Sequence, residues 1–365
     1  MKNTQLSVII PTYNEKENIE EIITRLEKSL RKISFEIIFV DDDSPDGTAD
    51  VVKQQRKTRP HVNLIRRVGR RGLAGAVIEG ILSAKSDISA VIDCDLQHDE
   101  TKLIEMYNLF KNKAELDLVV GSRFTDKEKI PDAAFSYIRK IGSNLATFYT
   151  KKLLGISISD PLSGFFMVRR KSFEKYSKNL QTQGFKVLAD LIASAKRSLI
   201  VEEIGYTFKN RLAGESKMSL ATGLELLGLI ISQVFNGNLS IRFIVFCFVG
   251  LSGVFVQILV TGLFITVSKL SFEISQSLGI ISAMTSNYFL NNIITFRDRS
   301  LKYIELLKGL VSFYFICSLG ALANFALANF IYSQLSNWLI ASVCGAVFSA
   351  IWNFVLSSLF TWKIR

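Results

Sequence analysis

Two aspartates and a glutamine follow an apolar run in the first third of the chain. The run at residues 88–92 ends on Asp93, and Asp95 and Gln97 follow at every second position. Because side chains alternate along a strand, we expect the three to point the same way. Oxygen donors of this type suit Mg²⁺ or Mn²⁺, which usually arrive with a phosphate-bearing substrate. Two exposed acids at a strand end would give the same local pattern, so the surrounding elements have to decide.

Strand and helix patterns alternate around these residues. Apolar runs typical of strands lie at residues 6–10, 35–40, 62–65, 88–92 and 116–120, with helical patterns at 19–30, 49–55, 72–84 and 100–111. This alternation predicts an α/β domain with a mostly parallel sheet, whose ligands bind outside the carboxyl ends of the strands. Asp93 and Asp95 lie at such an end, as do Asp41 and Asp42 after the second strand. The sequence therefore predicts a ligand-binding edge that carries acidic residues.

Long uncharged segments dominate the C-terminal third. Residues 243–268, 274–296 and 309–362 carry no charged side chain. A bilayer crossing needs about 20 apolar residues, and the last segment is long enough for two crossings. Four transmembrane helices are therefore predicted, at about residues 241–268, 273–296, 309–332 and 338–362. The predicted domains are residues 1–218, an interfacial amphipathic helix and linker at 219–240, and a membrane domain at 241–365.

The distribution of charge predicts the topology and the kind of partner. Basic residues lie before the first span, between the second and third spans, and after the last, which places both termini of a multi-pass protein in the cytoplasm. The first 25 residues have no long apolar core, so no secretory signal is expected. The net charge of +11, without a recognition-helix or zinc pattern, indicates attraction to lipid and phosphate rather than to nucleic acid.

A repeat occurs within the apolar part. Residues 287–296 and 353–362 share the pattern Asn, aromatic, any residue, Leu, then Thr and an aromatic, and Gly253 and Gly320 lie at matching places upstream. Two such matches at nearly equal offsets predict two helical hairpins in the same orientation, related by duplication.

Four motifs, in this order, resemble those of a known family: VIIPTYNE at residues 8–15, VDDDSPDGT at 40–48, DCDLQH at 93–98 and GSRF at 121–124. The chain is similar over about residues 5–240 to the dolichyl-phosphate mannose synthases and related polyprenyl-phosphate glycosyltransferases of family 2. The apolar part, through residues 287–296, resembles the four-helix domain called GtrA-like. The resemblance implies a GT-A (Rossmann-like) fold and inverting transfer of one sugar from a nucleotide donor to a lipid phosphate.

The resemblance also implies roles for individual residues. The donor nucleotide would be held by Pro11, Tyr13, Glu15, Asp41, Asp42, Arg71 or its neighbour Arg70, Asp93, Arg211 and Lys217. The metal, Mg²⁺ or Mn²⁺, would be held by Asp93, Asp95 and Gln97. The acceptor phosphate would be held by Arg123, Arg139 and Ser143. The catalytic residues would be Asp95, Arg123 and Arg139.

A lipid phosphate as acceptor removes the need for a catalytic base. A sugar hydroxyl must lose a proton, whereas a phosphate monoester has a second pKa of about 6 and is already a nucleophilic dianion at pH 7. Such a site needs cations that position the anion, and the forked guanidinium of arginine does this with paired donors. A chain with only two histidines is consistent with this chemistry.

Several alternatives remain open at this stage. GDP-mannose is the favoured donor, but Asp99 and the segment at residues 69–73 look more like bacterial relatives that use UDP-glucose. Translocation of the lipid-linked sugar by the membrane domain is a second alternative. His98 is interpreted as a solvent-facing residue beside the predicted metal ligands, and residues 160–165 as either an acceptor segment or a simple turn. The expected partners are a nucleotide sugar, a polyprenyl or dolichyl phosphate and the bilayer, with a homo-oligomer as an open question.

Overall fold

The computed structural model describes residues 4–69, 72–124, 158–180, 187–195, 198–209, 239–336 and 338–363, with single residues and pairs between 223 and 235. Within it the chain divides into two units, residues 1–241 and 242–365.

A seven-stranded sheet lies at the centre of the first unit, in the order β3-β2-β1-β4-β6-β5-β7. The strands are β1 (Leu6–Thr12), β2 (Phe35–Asp41), β3 (Val62–Arg66), β4 (Ile88–Val91), β5 (Leu118–Ser122), β6 (Phe166–Arg169) and β7 (Val201–Gly205). β6 runs antiparallel to both β4 and β5, whereas the other described pairs are parallel. The carboxyl ends of β1, β2 and β4 therefore lie at one edge, which is where the acidic residues follow.

Six helices cover the two faces of this sheet in the described residues. They are α1 (Ile19–Ser29), α2 (Thr48–Thr58), α3 (Leu73–Ser83), α4 (Lys102–Asn112), α5 (Arg170–Ser177) and α6 (Val187–Ser194). Successive β1 residues enter opposite cores, since Val8 packs on one face and Ile9 on the other. A strand that is buried on both faces reads as a continuous apolar run, which is why β1 was recognisable from sequence. The predicted α/β fold class is confirmed.

The second unit is helical. Its long helices are α7 (Ile241–Thr266), α8 (Phe272–Leu290), α9 (Ile304–Leu335) and α10 (Trp338–Leu356). By length and composition, three helical stretches in the described residues could cross a membrane: Ile241–Thr266, Ile304–Leu335 and Cys344–Thr361. α8 is not among them, so a fourth crossing remains a prediction. Large apolar side chains such as Phe255, Val311 and Phe325 are exposed, as expected of helices that face lipid.

The two hairpins of this unit share an unusual turn. A π-helical turn follows α8 at Asn291–Thr295 and follows α10 at Ser357–Thr361. The amide of Phe296 closes the first turn and the amide of Trp362 closes the second, each through a 2.8 Å hydrogen bond to the carbonyl five residues earlier. The Phe296 and Trp362 rings then stack on each other, with centroids 4.4 Å apart and planes at 6°. Equivalent residues of the repeat therefore meet face to face.

The glycines of the repeat have equivalent neighbours too. A Cβ atom added to Gly253 would lie 2.4 Å from the Asn287 side chain, and one added to Gly320 would lie 2.3 Å from that of Asn353. Each glycine thus makes room for the asparagine of its own hairpin. The repeated sequence pattern has a repeated structure, as predicted.

Candidate active site

The loop after β2 is organised around Asp41. This residue is fully buried, and its carboxylate accepts hydrogen bonds from the Thr12 hydroxyl (3.1 Å) and from the Ser44 amide and hydroxyl (2.9 and 2.6 Å). A carboxylate in this position shapes the loop. Asp41 therefore holds the backbone of this loop in place, and its role in nucleotide binding remains a prediction.

Asp42 has a different set of partners. Its carboxylate accepts hydrogen bonds at 2.6 Å from Arg67 Nη1 and from the Gly72 amide. Arg67 is itself buried and also donates to the Gly72 carbonyl (3.0 Å) and to Glu79 (3.3 Å). Burial raises the pKa of Asp42, although the Gly72 amide and Arg67 act to lower it. Asp42 and Arg67 therefore both contact Gly72, which takes a φ of 134° that favours glycine.

The loop after β1 is tied to the loop after β2. The Asn14 amide donates to the Ser44 hydroxyl (3.0 Å) and the Glu15 amide to the Thr48 hydroxyl (3.1 Å). Asn14 takes a left-handed φ of 56°. The two strands are paired, so Pro11, Tyr13 and Glu15 share one edge of the sheet with Asp41 and Asp42.

The predicted metal ligands, Asp93, Asp95 and Gln97, lie in a loop. β4 ends at Val91, and Leu96 adopts a left-handed φ of 62°, so the alternation of a strand does not place residues 93–97. The Asp93 side chain is 37% exposed, whereas Asp95 is buried and its Oδ1 accepts the Gln97 amide at 3.2 Å. The Gln97 side-chain nitrogen donates to the Lys209 carbonyl at 3.1 Å. That bond turns the amide nitrogen towards Lys209, so the amide oxygen is directed elsewhere.

His98 is buried, contrary to its interpretation as a solvent-facing residue. Its Nε2 lies 3.0 Å from Asp93 Oδ2, and its Nδ1 lies 2.7 Å from the Tyr206 hydroxyl. Phe165 stacks on the imidazole. Sequence reasoning missed Tyr206, because it follows β7 and is 108 positions away along the chain.

Arg123 follows β5 and forms a two-pronged pair with Asp160. Its Nε and Nη2 donate to the two carboxylate oxygens at 2.7 and 2.8 Å, and its backbone amide donates at 3.3 Å. Burial opposes the charged form of Arg123, but the hydrogen bonds and charge of Asp160 outweigh it and raise the pKa of the guanidinium. Its further donors are carried on Nη1 and Nη2.

Glu203 on β7 supports this pair from behind. Its carboxylate accepts hydrogen bonds from the Ser159 amide (2.8 and 2.9 Å) and hydroxyl (2.6 Å), and from the Asp160 amide (3.4 Å). Residues 158–163 therefore do more than turn the chain. They place the buried Asp160 carboxylate against Arg123. The sequence had left Asp160 open between an acceptor segment and a turn, and it gave no sign of Glu203.

Comparison with known proteins assigns both units. Residues 7–177 match the family model for glycosyl transferase family 2, and residues 245–362 match the model for the GtrA/DPMS transmembrane domain. A protein of Pyrococcus furiosus named dolichol-phosphate mannosyltransferase is 33% identical over 361 residues, which cover 98% of this chain and 99% of the relative. The chain therefore belongs to the family 2 glycosyltransferases that carry a GtrA/DPMS transmembrane domain.

Two further matches extend over a smaller part of this chain. A dolichol-phosphate mannosyltransferase of Saccharomyces cerevisiae is 32% identical over 223 residues, or 59% of this chain and 81% of the relative. Among solved structures, glucosyl-3-phosphoglycerate synthase of Mycobacterium tuberculosis, in complex with Mn²⁺, UDP-glucose and phosphoglyceric acid, is 18% identical with a TM-score of 0.47. That match covers 63% of this chain and 79% of that one.

The predicted metal ligands of this glycosyltransferase carry oxygen atoms of the kind that fits a hard divalent cation. In the described residues no three His, Cys, Asp or Glu side chains could hold a metal by themselves. Asp93, Asp95 and the Gln97 amide supply oxygen atoms, as Mg²⁺ and Mn²⁺ prefer. Such ions are typically bound by one or two carboxylates together with substrate phosphates, so a diphosphate would complete the set.

Several predicted site residues lie outside the described part of the glycosyltransferase. They are Arg70, Arg71, Arg139, Ser143, Arg211 and Lys217. Most of the predicted interfacial helix at residues 219–240 lies outside it too. Their roles therefore remain predictions.

Proposed function

We propose that this glycosyltransferase moves one hexose, with mannose from GDP-mannose favoured, to the phosphate of a polyprenyl or dolichyl phosphate at the cytoplasmic face of the membrane, with inversion. The observation that carries the proposal is the match to the Pyrococcus furiosus dolichol-phosphate mannosyltransferase. It extends over 98% of this chain and so includes both units. A family 2 domain together with a GtrA/DPMS domain suits a reaction between a soluble donor and a membrane lipid.

The donor would be held at the carboxyl ends of β1, β2 and β4. The nucleoside lies along the loops that Asp41 and Asp42 hold in place, within reach of Tyr13 and Glu15. Asp93, Asp95 and Gln97 would hold Mg²⁺ or Mn²⁺ there. A bound ion would supply Lewis acidity that neutralises charge on the leaving diphosphate.

The acceptor phosphate would lie against Arg123. This arginine is a permanent cation, and Asp160 holds its guanidinium through two hydrogen bonds of 2.7 and 2.8 Å. Preorganised donors of this kind stabilise an anion without having to reorient when it binds. Arg123 positions the phosphate dianion and leaves it unprotonated, so that an oxygen lone pair can attack the anomeric carbon.

The proposal is tested by incubating the purified full-length protein in detergent with Mn²⁺, polyprenyl phosphate and labelled GDP-mannose or UDP-glucose in parallel. Labelled lipid from GDP-mannose is the expected result, and label from UDP-glucose alone would assign the alternative donor. No labelled lipid from either nucleotide sugar would refute the proposal.

The metal site is tested in the same assay. Asp95→Ala should abolish transfer and Mn²⁺ binding. Asp50→Ala is the matched control, because Asp50 lies on α2 with a side chain that is 78% exposed, and it should leave both unchanged. Full activity of Asp95→Ala would refute the metal assignment.

A further inference from the structure

His98 is the one histidine placed beside the predicted metal ligands, and both of its ring nitrogens are engaged. The residue is 4% exposed. Its Nε2 contacts Asp93 Oδ2 at 3.0 Å, and its Nδ1 contacts the Tyr206 hydroxyl at 2.7 Å. Asp93, in contrast, has a side chain that is 37% exposed. A buried ring therefore contacts one oxygen of a carboxylate that is partly exposed.

Aromatic side chains fix the orientation of this imidazole. Phe165 stacks on it with ring centroids 5.4 Å apart and planes at 25°, and Phe208 meets it edge-on at 5.7 Å and 69°. The Phe165 side chain is fully buried in the core. The imidazole cannot turn without displacing that core, so the direction of the Nε2 bond is set by packing.

The hydrogen bonds define which ring nitrogen carries the proton. Burial raises the pKa of Tyr206 above its ordinary value, so its hydroxyl stays protonated and can donate to Nδ1. A carboxylate only accepts hydrogen bonds, so Nε2–H is the donor to Asp93, and in the neutral imidazole Nδ1 accepts from the Tyr206 hydroxyl. The chain of donors runs from Tyr206 through His98 to Asp93.

Gly164 also lies close to Asp93. A Cβ atom at this position would lie 2.7 Å from Asp93 Oδ2. Oδ2 therefore contacts His98 and leaves no room for a side chain at position 164. Neither His98 nor Gly164 is a predicted metal ligand.

We propose that His98 is a positioning residue, which holds the Asp93 carboxylate in the orientation that binds the metal and diphosphate end of the donor. The inference rests on the proposed function, because it assigns His98 to that same site. Groups that orient a metal ligand through a hydrogen bond typically change metal affinity by 10- to 100-fold when they are removed.

The test measures Mn²⁺ binding directly, by electron paramagnetic resonance titration of the full-length protein with and without GDP. His98→Leu fills the aromatic surroundings with an apolar side chain but removes the Nε2–H donor to Asp93. It should weaken Mn²⁺ binding by about 10- to 100-fold. His98→Gln restores an N–H donor and should recover part of the affinity. The matched control is His61→Leu at the chain's other histidine, which pairs with Glu27 and should bind Mn²⁺ like the wild type.

A fourth variant covers the case in which His98→Leu fails to fold. Tyr206→Phe keeps the aromatic ring but removes the donor to Nδ1, so it should weaken Mn²⁺ binding several-fold while the melting temperature shows that the protein is folded. If the folded His98 and Tyr206 variants bind Mn²⁺ with wild-type affinity while Asp95→Ala loses binding, the role of His98 is overturned and the metal site is not. A wild-type protein that binds no Mn²⁺ would overturn the proposed metal site, and with it this inference.

Discussion

Gly164→Ala should separate the function of the site from the stability of the fold. The added Cβ would lie 2.7 Å from Asp93 Oδ2 and 3.2 Å from both Oδ1 and Cγ, with an ordinary contact starting at 3.4 Å. The carboxylate must therefore move by roughly 0.7 Å, which is the difference between those distances. The backbone of Gly164 is outside the left-handed region, so alanine causes no strain there.

The magnitude follows from what has to move. Asp93 is 37% exposed and can rotate towards solvent, which breaks its bond to His98 but leaves the core intact. A misplacement of about 1 Å in a catalytic group can lower the rate about 100-fold, and a similar loss in kcat/KM is expected here. The free energy of unfolding should change by less than about 1 kcal/mol, as for Gly→Ala at a compatible backbone position.

The assay combines sugar transfer, Mn²⁺ titration and thermal unfolding of the same preparation. Gly121→Ala is the contrasting variant, because its Cβ would lie 2.3 Å from the Phe165 ring in the core. It should lower stability by about 1–3 kcal/mol through overpacking. Gly250→Ala is the matched neutral control, since no atom lies within 4 Å of its Cβ position. Wild-type transfer and Mn²⁺ affinity in Gly164→Ala would refute the argument that Asp93 is held in place.

Two further predictions concern the acceptor cation and the membrane unit. Asp160→Asn leaves the Arg123 guanidinium buried without its counter-charge, so the free energy of unfolding should fall by about 3 kcal/mol. The KM for polyprenyl phosphate should rise as well. Denaturant unfolding measures the first effect and acceptor titration the second, and an unchanged unfolding curve would contradict the first. Gly320→Ala places a Cβ 2.3 Å from the Asn353 side chain and should lower stability in detergent by about 1–3 kcal/mol. Thermal unfolding checks this against Gly262→Ala, which has nothing within 4 Å, and equal melting temperatures for the two variants would contradict it.

The fold class and the edge that carries the site could be predicted because they depend on local patterns. An apolar run buried on both faces specifies a strand such as β1 or β4, and the polar residues that follow it lie at the ligand-binding edge. The repeat of the membrane unit was also visible in the sequence. The spacing from Gly253 to Gly320 is nearly the same as that from Asn287 to Asn353, the asparagines that these glycines face. Strand β6 was not predicted, because four residues (Phe166–Arg169) between two neighbours of opposite direction leave little pattern.

The sequence by itself determined which chemical groups are present and near which strand ends they lie. The tertiary structure decided which of them meet. Asp42 and Arg67 are 25 positions apart, Arg123 and Asp160 are 37 apart, and His98 and Tyr206 are 108 apart. The physical reason is that the partner of a buried charge or polar group is selected by the packing of distant strands, which local spacing does not encode. Asp93 was recognisable from its place after β4, but its orientation depends on a histidine that the loop at Leu96 turns into the core.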